Sequence, residues 1–185
     1  MPEMRRRLAN AALFQLGWFA CVLGAQRPWL LPIALACLLA HFRWIARGRG
    51  EAWLVAGATL GGSALDSLLL HLGLFDFAGD SPLLPPWLAL LWALFATTLS
   101  HCLAWTARPW WLGSLLGAVG GPLSYLGGAQ LAGVGLPLGL WITLPLLALI
   151  WAGLLPALHG LARHCRRWAP TSSARRTAGR RHDRP

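Results

Sequence analysis

Apolar residues run through this chain in long stretches, separated by short clusters of glycine, proline and arginine, and that pattern predicts helices. Crossing about 30 Å of hydrocarbon takes roughly 20 mostly apolar residues at 1.5 Å per residue. Six stretches meet or approach that length: about Leu8 to Gly24, Pro28 to Ala46, Ala52 to Leu74, Pro85 to Trp105, Pro109 to Gly128, and Leu136 to Leu161. The first is short and the fifth is rich in glycine. Turn signals stand between them at Gly24-Ala25-Gln26-Arg27-Pro28, Arg47-Gly48-Arg49-Gly50, Gly79-Asp80-Ser81-Pro82, Arg108-Pro109 and Gly133-Val134-Gly135. The runs are continuous and lack period-two alternation, which excludes membrane β-barrel strands. The expected fold class is all-α, a polytopic membrane bundle of about six transmembrane helices with short loops.

Arginine orients that bundle. With the N-terminus in the cytoplasm, one side collects Arg5, Arg6, Arg7, Arg43, Arg47, Arg49, Arg108 and every arginine from Arg163 onward, whereas the other keeps only Arg27 and carries Asp76 and Asp80. The positive-inside rule therefore puts both termini in the cytoplasm. The basic start followed by apolar residues has the look of a signal peptide, but apolar segments continue far beyond it, so it reads as a retained first span. Residues 1–165 are expected to form the six-span domain. Residues 166–185, basic and without apolar periodicity, are expected to form a disordered cytoplasmic tail.

Composition supports the same class. The chain is 56% hydrophobic and 12% charged, against about 25% charged in average soluble domains. Soluble enzymes, disordered regulators and disulfide-stapled secreted domains are excluded on that ground. A net charge of +10 would suggest nucleic acid in a soluble chain. Here the arginines sit in short runs between apolar stretches, so membrane lipids with anionic head groups are the expected partners and nucleic acid is not. Cys21, Cys37, Cys102 and Cys165 fall in different segments without a C-x-x-C pair, so no disulfide framework is suggested.

Candidate chemistry lies in the polar residues that stand within apolar runs. The third span places Ala58, Gly62 and Asp66 on one stripe, and the fifth places Gly113, Gly117, Gly121 and Tyr125 on another. Small residues allow close helix approach in lipid, so both helices are expected to be interior, with Pro122 kinking the fifth. From the rise per residue, Asp66 lies about 20 Å beyond Trp53 and Tyr125 about 21 Å beyond Trp111. Running in the same direction, the two helices bring these side chains to one level. The expected outer cluster comprises Asp66, Tyr125 and Ser124, with Ser63, Ser67 and His71 near it. A carboxylate at that depth costs about 2.5–3.5 kcal/mol to insert, so Asp66 is either a functional group or a hydrogen-bonded lock between helices.

A second group is expected nearer the cytoplasm: Gln15 in the first span and Thr97, Thr98 and His101 in the fourth, with Thr97 and His101 sharing a helical face. The amide of Gln15 is expected to meet the threonines or another helix's backbone. His41, His101, His159 and His164 gather at cytoplasmic helix ends. Imidazole and thiolate suit zinc, but no H-E-x-x-H occurs and no acid on that side would complete a di-iron set, so no metal is expected. No phosphate-binding loop or nucleophile elbow appears, and no cofactor is expected. Most of the tryptophans fall at predicted span boundaries, while Trp18 and Trp92 are deeper and either pack or line a cavity.

Several of these residues carry a family resemblance. Phe14-Gln15-x-Gly17-Trp18-Phe19-x-x-Val22-Leu23-Gly24-Ala25, Asp66-Ser67-Leu68 with Gly73, Pro86-Trp87, Leu91-Trp92-x-Leu94-Phe95-Ala96-Thr97-Thr98-Leu99 and Gly117-Ala118-x-Gly120-Gly121-Pro122-x-x-Tyr125 resemble the bacterial inner-membrane proteins of the domain of unknown function 2878 type. The similarity covers most of residues 8 to 160. It implies a multi-pass protein of the bacterial inner membrane with no established activity, and, from the lipid-modifying enzymes often encoded beside such members, an accessory or lipid-binding role in membrane lipid modification. Two other expectations stay open: a small proton-coupled transporter or permease that uses Asp66, and a structural partner of another inner-membrane protein.

Overall fold

The computed structural model describes residues 3–77 and 84–168. Among these residues there are six α-helices: α1 (Glu3–Gly24), α2 (Leu31–Trp44), α3 (Arg49–His71), α4 (Pro86–Thr98), α5 (Trp110–Ala132) and α6 (Leu140–Trp168). Single 3-10 turns at Pro28–Leu30 and Ala104–Ala107 lead towards α2 and α5. The described residues form no β-strand. An isolated bridge between Asp76 and Gly135 ties the segment after α3 to the α5–α6 connection. The all-α class is therefore observed. By length and composition α3 and α6 can cross a membrane, while Pro28–Trp44 and Pro86–Thr98 are apolar but shorter.

Local chemistry explains where the helices depart from expectation. The fourth apolar stretch continues to Trp105, yet α4 stops at Thr98. There the Thr97 and Thr98 hydroxyls donate to the carbonyls of Leu94 and Phe95, each at 2.6 Å. Such back-bonding competes with the helical ladder, and the next amide, of Leu99, turns to the Ala96 carbonyl. His101 therefore lies beyond α4 and shares no helical face with Thr97, contrary to the sequence reading. Helix α5 continues through Pro122 and ends at Gly133, whose φ of 71° is the left-handed conformation that favours glycine at a helix C-terminus. Helix α6 extends to Trp168, so the expected tail begins as helix. Residues 169–185 and the Gly79-Asp80-Ser81-Pro82 turn lie outside the described residues.

Helix α4 is apolar around its circumference and sits at the centre, burying Trp87, Leu88, Trp92, Leu94 and Ala96. Helices α1 and α2 pack on one side of it and α3 on another, while α5 pairs with α6, which also rests on α3. Glycine governs these approaches differently from the close backbone contacts that the sequence suggests. A Cβ at Gly62 would run into the Trp92 indole, and one at Gly121 into the Trp151 indole. The two indoles stack on each other, nearly parallel, with centroids 5.6 Å apart. Gly117 and Gly113 come against backbone, at the carbonyls of Trp151 and Thr106.

Polarity is distributed inside out. Trp141, Leu149 and Leu60 are 94%, 75% and 73% exposed, whereas Asn10, His41, Glu51, Asp66, Thr97 and His101 are all buried.

Candidate functional site

Most of the buried polar groups gather in two clusters, each around one of the two carboxylates that α3 carries near its ends. Asp66 and Glu51 are fifteen residues apart, or about 22 Å along a helix.

At Asp66 both carboxylate oxygens are occupied. The Tyr125 hydroxyl of α5 donates to Oδ1 at 2.6 Å and the Trp92 indole N–H of α4 donates to Oδ2 at 2.6 Å. Hydrogen bonds to a charged acceptor are roughly twice as strong as neutral ones, which offsets part of the desolvation of this fully buried carboxyl group. Tyr125 and Trp92 in turn line a cavity of about 340 Å³ between α1, α4 and α5, with Trp151 of α6 in its wall. Its lining is apolar and aromatic apart from Ser124, Thr106 and the Tyr125 hydroxyl. Trp151 also holds a buried indole N–H with no hydrogen-bond partner among the described residues. At the cavity's edge the Trp18 indole N–H of α1 donates to Ser124 Oγ of α5 at 3.2 Å.

At Glu51 the partners are imidazoles. His41 Nε2, from the end of α2, and His101 Nε2, from the turn after α4, each lie 2.7 Å from Oε1, and the Arg47 backbone N–H donates to Oε2 at 3.0 Å. Asn10 of α1 fixes one tautomer: its Nδ2 donates to His41 Nδ1 at 3.2 Å, so the His41 proton sits on Nε2 and points at Glu51. The same amide group reaches Thr97 Oγ1 at 3.3 Å, and Asn10 Oδ1 accepts from the Cys102 backbone N–H at 3.3 Å. His101 Nδ1 is buried and has no partner among the described residues. One ligand atom from each of His41, Glu51 and His101 lies within 4.8 Å of the others, an arrangement able to hold a metal ion. Outside this core, exposed Glu3 pairs with Arg47 and with Arg7. The Arg47 guanidinium hydrogen-bonded to it holds the Glu3 carboxyl below the usual carboxylate range.

The structure brings Asp66 and Tyr125 together and separates the other expected members of the outer cluster. Ser124 turns to Trp18 instead. Ser67 donates back to the Ser63 carbonyl at 2.7 Å, and exposed His71 bonds the Ser67 carbonyl at 2.7 Å, so both stay on their own helix. In the inner group Thr97 meets Asn10, Thr98 bonds only to its own helix, and His101 meets Glu51. Gln15 does not join them. It is exposed on the outer face of α1, and Asn10 holds the place expected of it. The four histidines also separate: His159 Nε2 lies 2.7 Å from Thr106 Oγ1, and His164 is exposed. An acid that the sequence reading did not single out, Glu51, meets two of them. An acid in the first turn of a helix satisfies the helix dipole, which is why its residue type alone gave no sign of a site.

A family model described as a protein of unknown function (DUF2878) matches residues 7–157, a range that includes both clusters. No curated protein and no solved structure matches the chain.

Proposed function

The chain belongs to the DUF2878 family, and because that membership carries no activity we propose a function from packing alone: an integral membrane protein that binds a lipid acyl chain in the cavity beside Tyr125. In this reading residues 1–165 cross the inner membrane six times with both termini in the cytoplasm, and the protein is an accessory in membrane lipid modification. The apolar exterior supports immersion in lipid, because a water-soluble surface rarely exposes so many large apolar side chains together. The arginine asymmetry supports the orientation.

The observation that carries the binding reading is the cavity itself. Ligand sites are concave, about 300–1,000 Å³ in volume, mostly apolar and marked by a few placed polar groups. Here an apolar chamber of about 340 Å³ meets the Tyr125 hydroxyl and borders the unpaired Trp151 indole. An acyl chain suits the apolar lining.

Gly120 provides the test, since it lines the cavity and a Cβ there would meet open space. The full chain, purified into lipid nanodiscs, is irradiated with a diazirine-bearing fatty acyl phospholipid. Labelling is expected at cavity residues such as Leu91 and Phe95, and Gly120→Trp is expected to abolish it without lowering the melting temperature. Equal labelling of wild type and Gly120→Trp at these positions would refute the proposal.

A further inference from the structure

We propose that His41, Glu51 and His101 form a binding site for one divalent first-row transition metal, independent of the lipid cavity. Three arguments support it. First, the ligand types are brought together from separate segments. His41 ends α2, Glu51 opens α3 and His101 follows α4, yet their donor atoms lie within 4.8 Å of one another. Second, both Nε2 atoms converge on the single oxygen Oε1 at 2.7 Å rather than dividing between the two carboxylate oxygens. Two imidazole nitrogens gathered on one carboxylate oxygen put three ligand atoms close enough together to share a cation in place of the protons. Third, the group is closed to water on the protein side, with His41 and His101 each 1% exposed. Buried charges are generally paired or bound to metal.

Two histidines and one glutamate are a zinc set that leaves the fourth tetrahedral position open, as catalytic zinc sites do. The same two-histidine, one-carboxylate set also suits iron(II). The outer nitrogens of the two rings differ. His101 Nδ1 has no partner among the described residues, so this ring can move its proton to Nδ1 and lend the Nε2 lone pair, giving up only its own hydrogen bond to Oε1. His41 is held by the Asn10 amide in the form that protonates Nε2. Metal uptake must therefore shift that proton from Nε2 to Nδ1 and turn the Asn10 N–H away from Nδ1, which makes the metal-free network a competing state of the same residues.

The experiment uses the full chain, purified in mild detergent without chelator or affinity metal, and measures metal content by elemental mass spectrometry. About one equivalent of zinc or iron per chain is expected, and the element found distinguishes the two. Dialysis against Co²⁺ is then expected to produce the visible absorption of four-coordinate Co²⁺, displaced by Zn²⁺. His101→Ala and Glu51→Gln are expected to lose the metal and the absorption, whereas Asp66→Asn at the other cluster is expected to keep both. Wild-type protein that carries no metal above the buffer and develops no Co²⁺ absorption would overturn the proposal. That result needs no variant to fold, and it leaves the lipid reading untouched.

Discussion

Helix α3 holds two buried carboxylates, and their neighbours make them different devices. Asp66 is held by a phenol and an indole. The indole can only donate, so this arrangement has essentially one hydrogen-bonding state. Glu51 is held by two imidazoles, one fixed by Asn10 and the other, His101, able to carry its proton on either nitrogen because its Nδ1 has no partner among the described residues. One end of the helix is therefore built to be fixed beside a cavity, and the other to rearrange protons or accept a cation. Burial alone does not distinguish them; the tautomeric freedom of His101 does.

The comparison can be broken by removing each carboxylate in turn. Asp66→Leu strands the Trp92 and Tyr125 donors in an apolar setting, and each unsatisfied group costs about 1–3 kcal/mol. The expected loss is about 4 kcal/mol, the largest here, and appears as a lowered melting temperature in detergent. Asp66→Asn keeps one acceptor for the indole and offers N–H to the phenol oxygen, so about 1 kcal/mol is expected. If Asn proves as damaging as Leu, the negative charge itself is required and the locking account fails. Glu51→Leu should cost less than Asp66→Leu, about 2 kcal/mol, because the His101 ring can shift its proton and accept from His41. A Glu51→Leu variant less stable than Asp66→Leu would contradict the proposed difference.

Smaller effects sharpen the packing side of the comparison. Gly121→Ala forces a methyl into the Trp151 ring, and overpacking of this kind costs about 1–3 kcal/mol. The same purified variant should show reduced melting temperature and altered tryptophan emission. Glu3→Gln marks the bottom of the scale. Its carboxyl is held below the usual range by Arg47, so the ion pair is present above the unfolded-state value and is lost as pH falls through the lowered one. The group is on the surface, where salt screens it. The melting temperature at neutral pH and high salt should match wild type.

The pairing of Asp66 with Tyr125 was legible because its signals are additive along a helix. Rise per residue put Asp66 and Tyr125 at one depth, and small-residue stripes pointed both helices inward. Ser124 lies on the stripe beside that of Tyr125, and this small rotation was enough to send it to Trp18. The inner cluster was mostly illegible. Gln15 and Asn10 are five residues apart, about 140° around a helix, so they face opposite ways, and choosing the deeper amide chose the wrong face. Glu51 stands among arginines at a span boundary, where an acid is ordinary, and only the tertiary fold reveals that it meets two histidines. His101 was placed on a helix that Thr97 and Thr98 end early.

The ring stack of Trp92 on Trp151 has an evolutionary consequence. Because Gly62 and Gly121 each give up a side chain to one of these rings, neither glycine is free to change alone. Lineages that enlarge position 62 or 121 should shrink position 92 or 151 in step, and an alignment of homologues in which these pairs vary independently would show that the ring thickness does not fix the distances between helices.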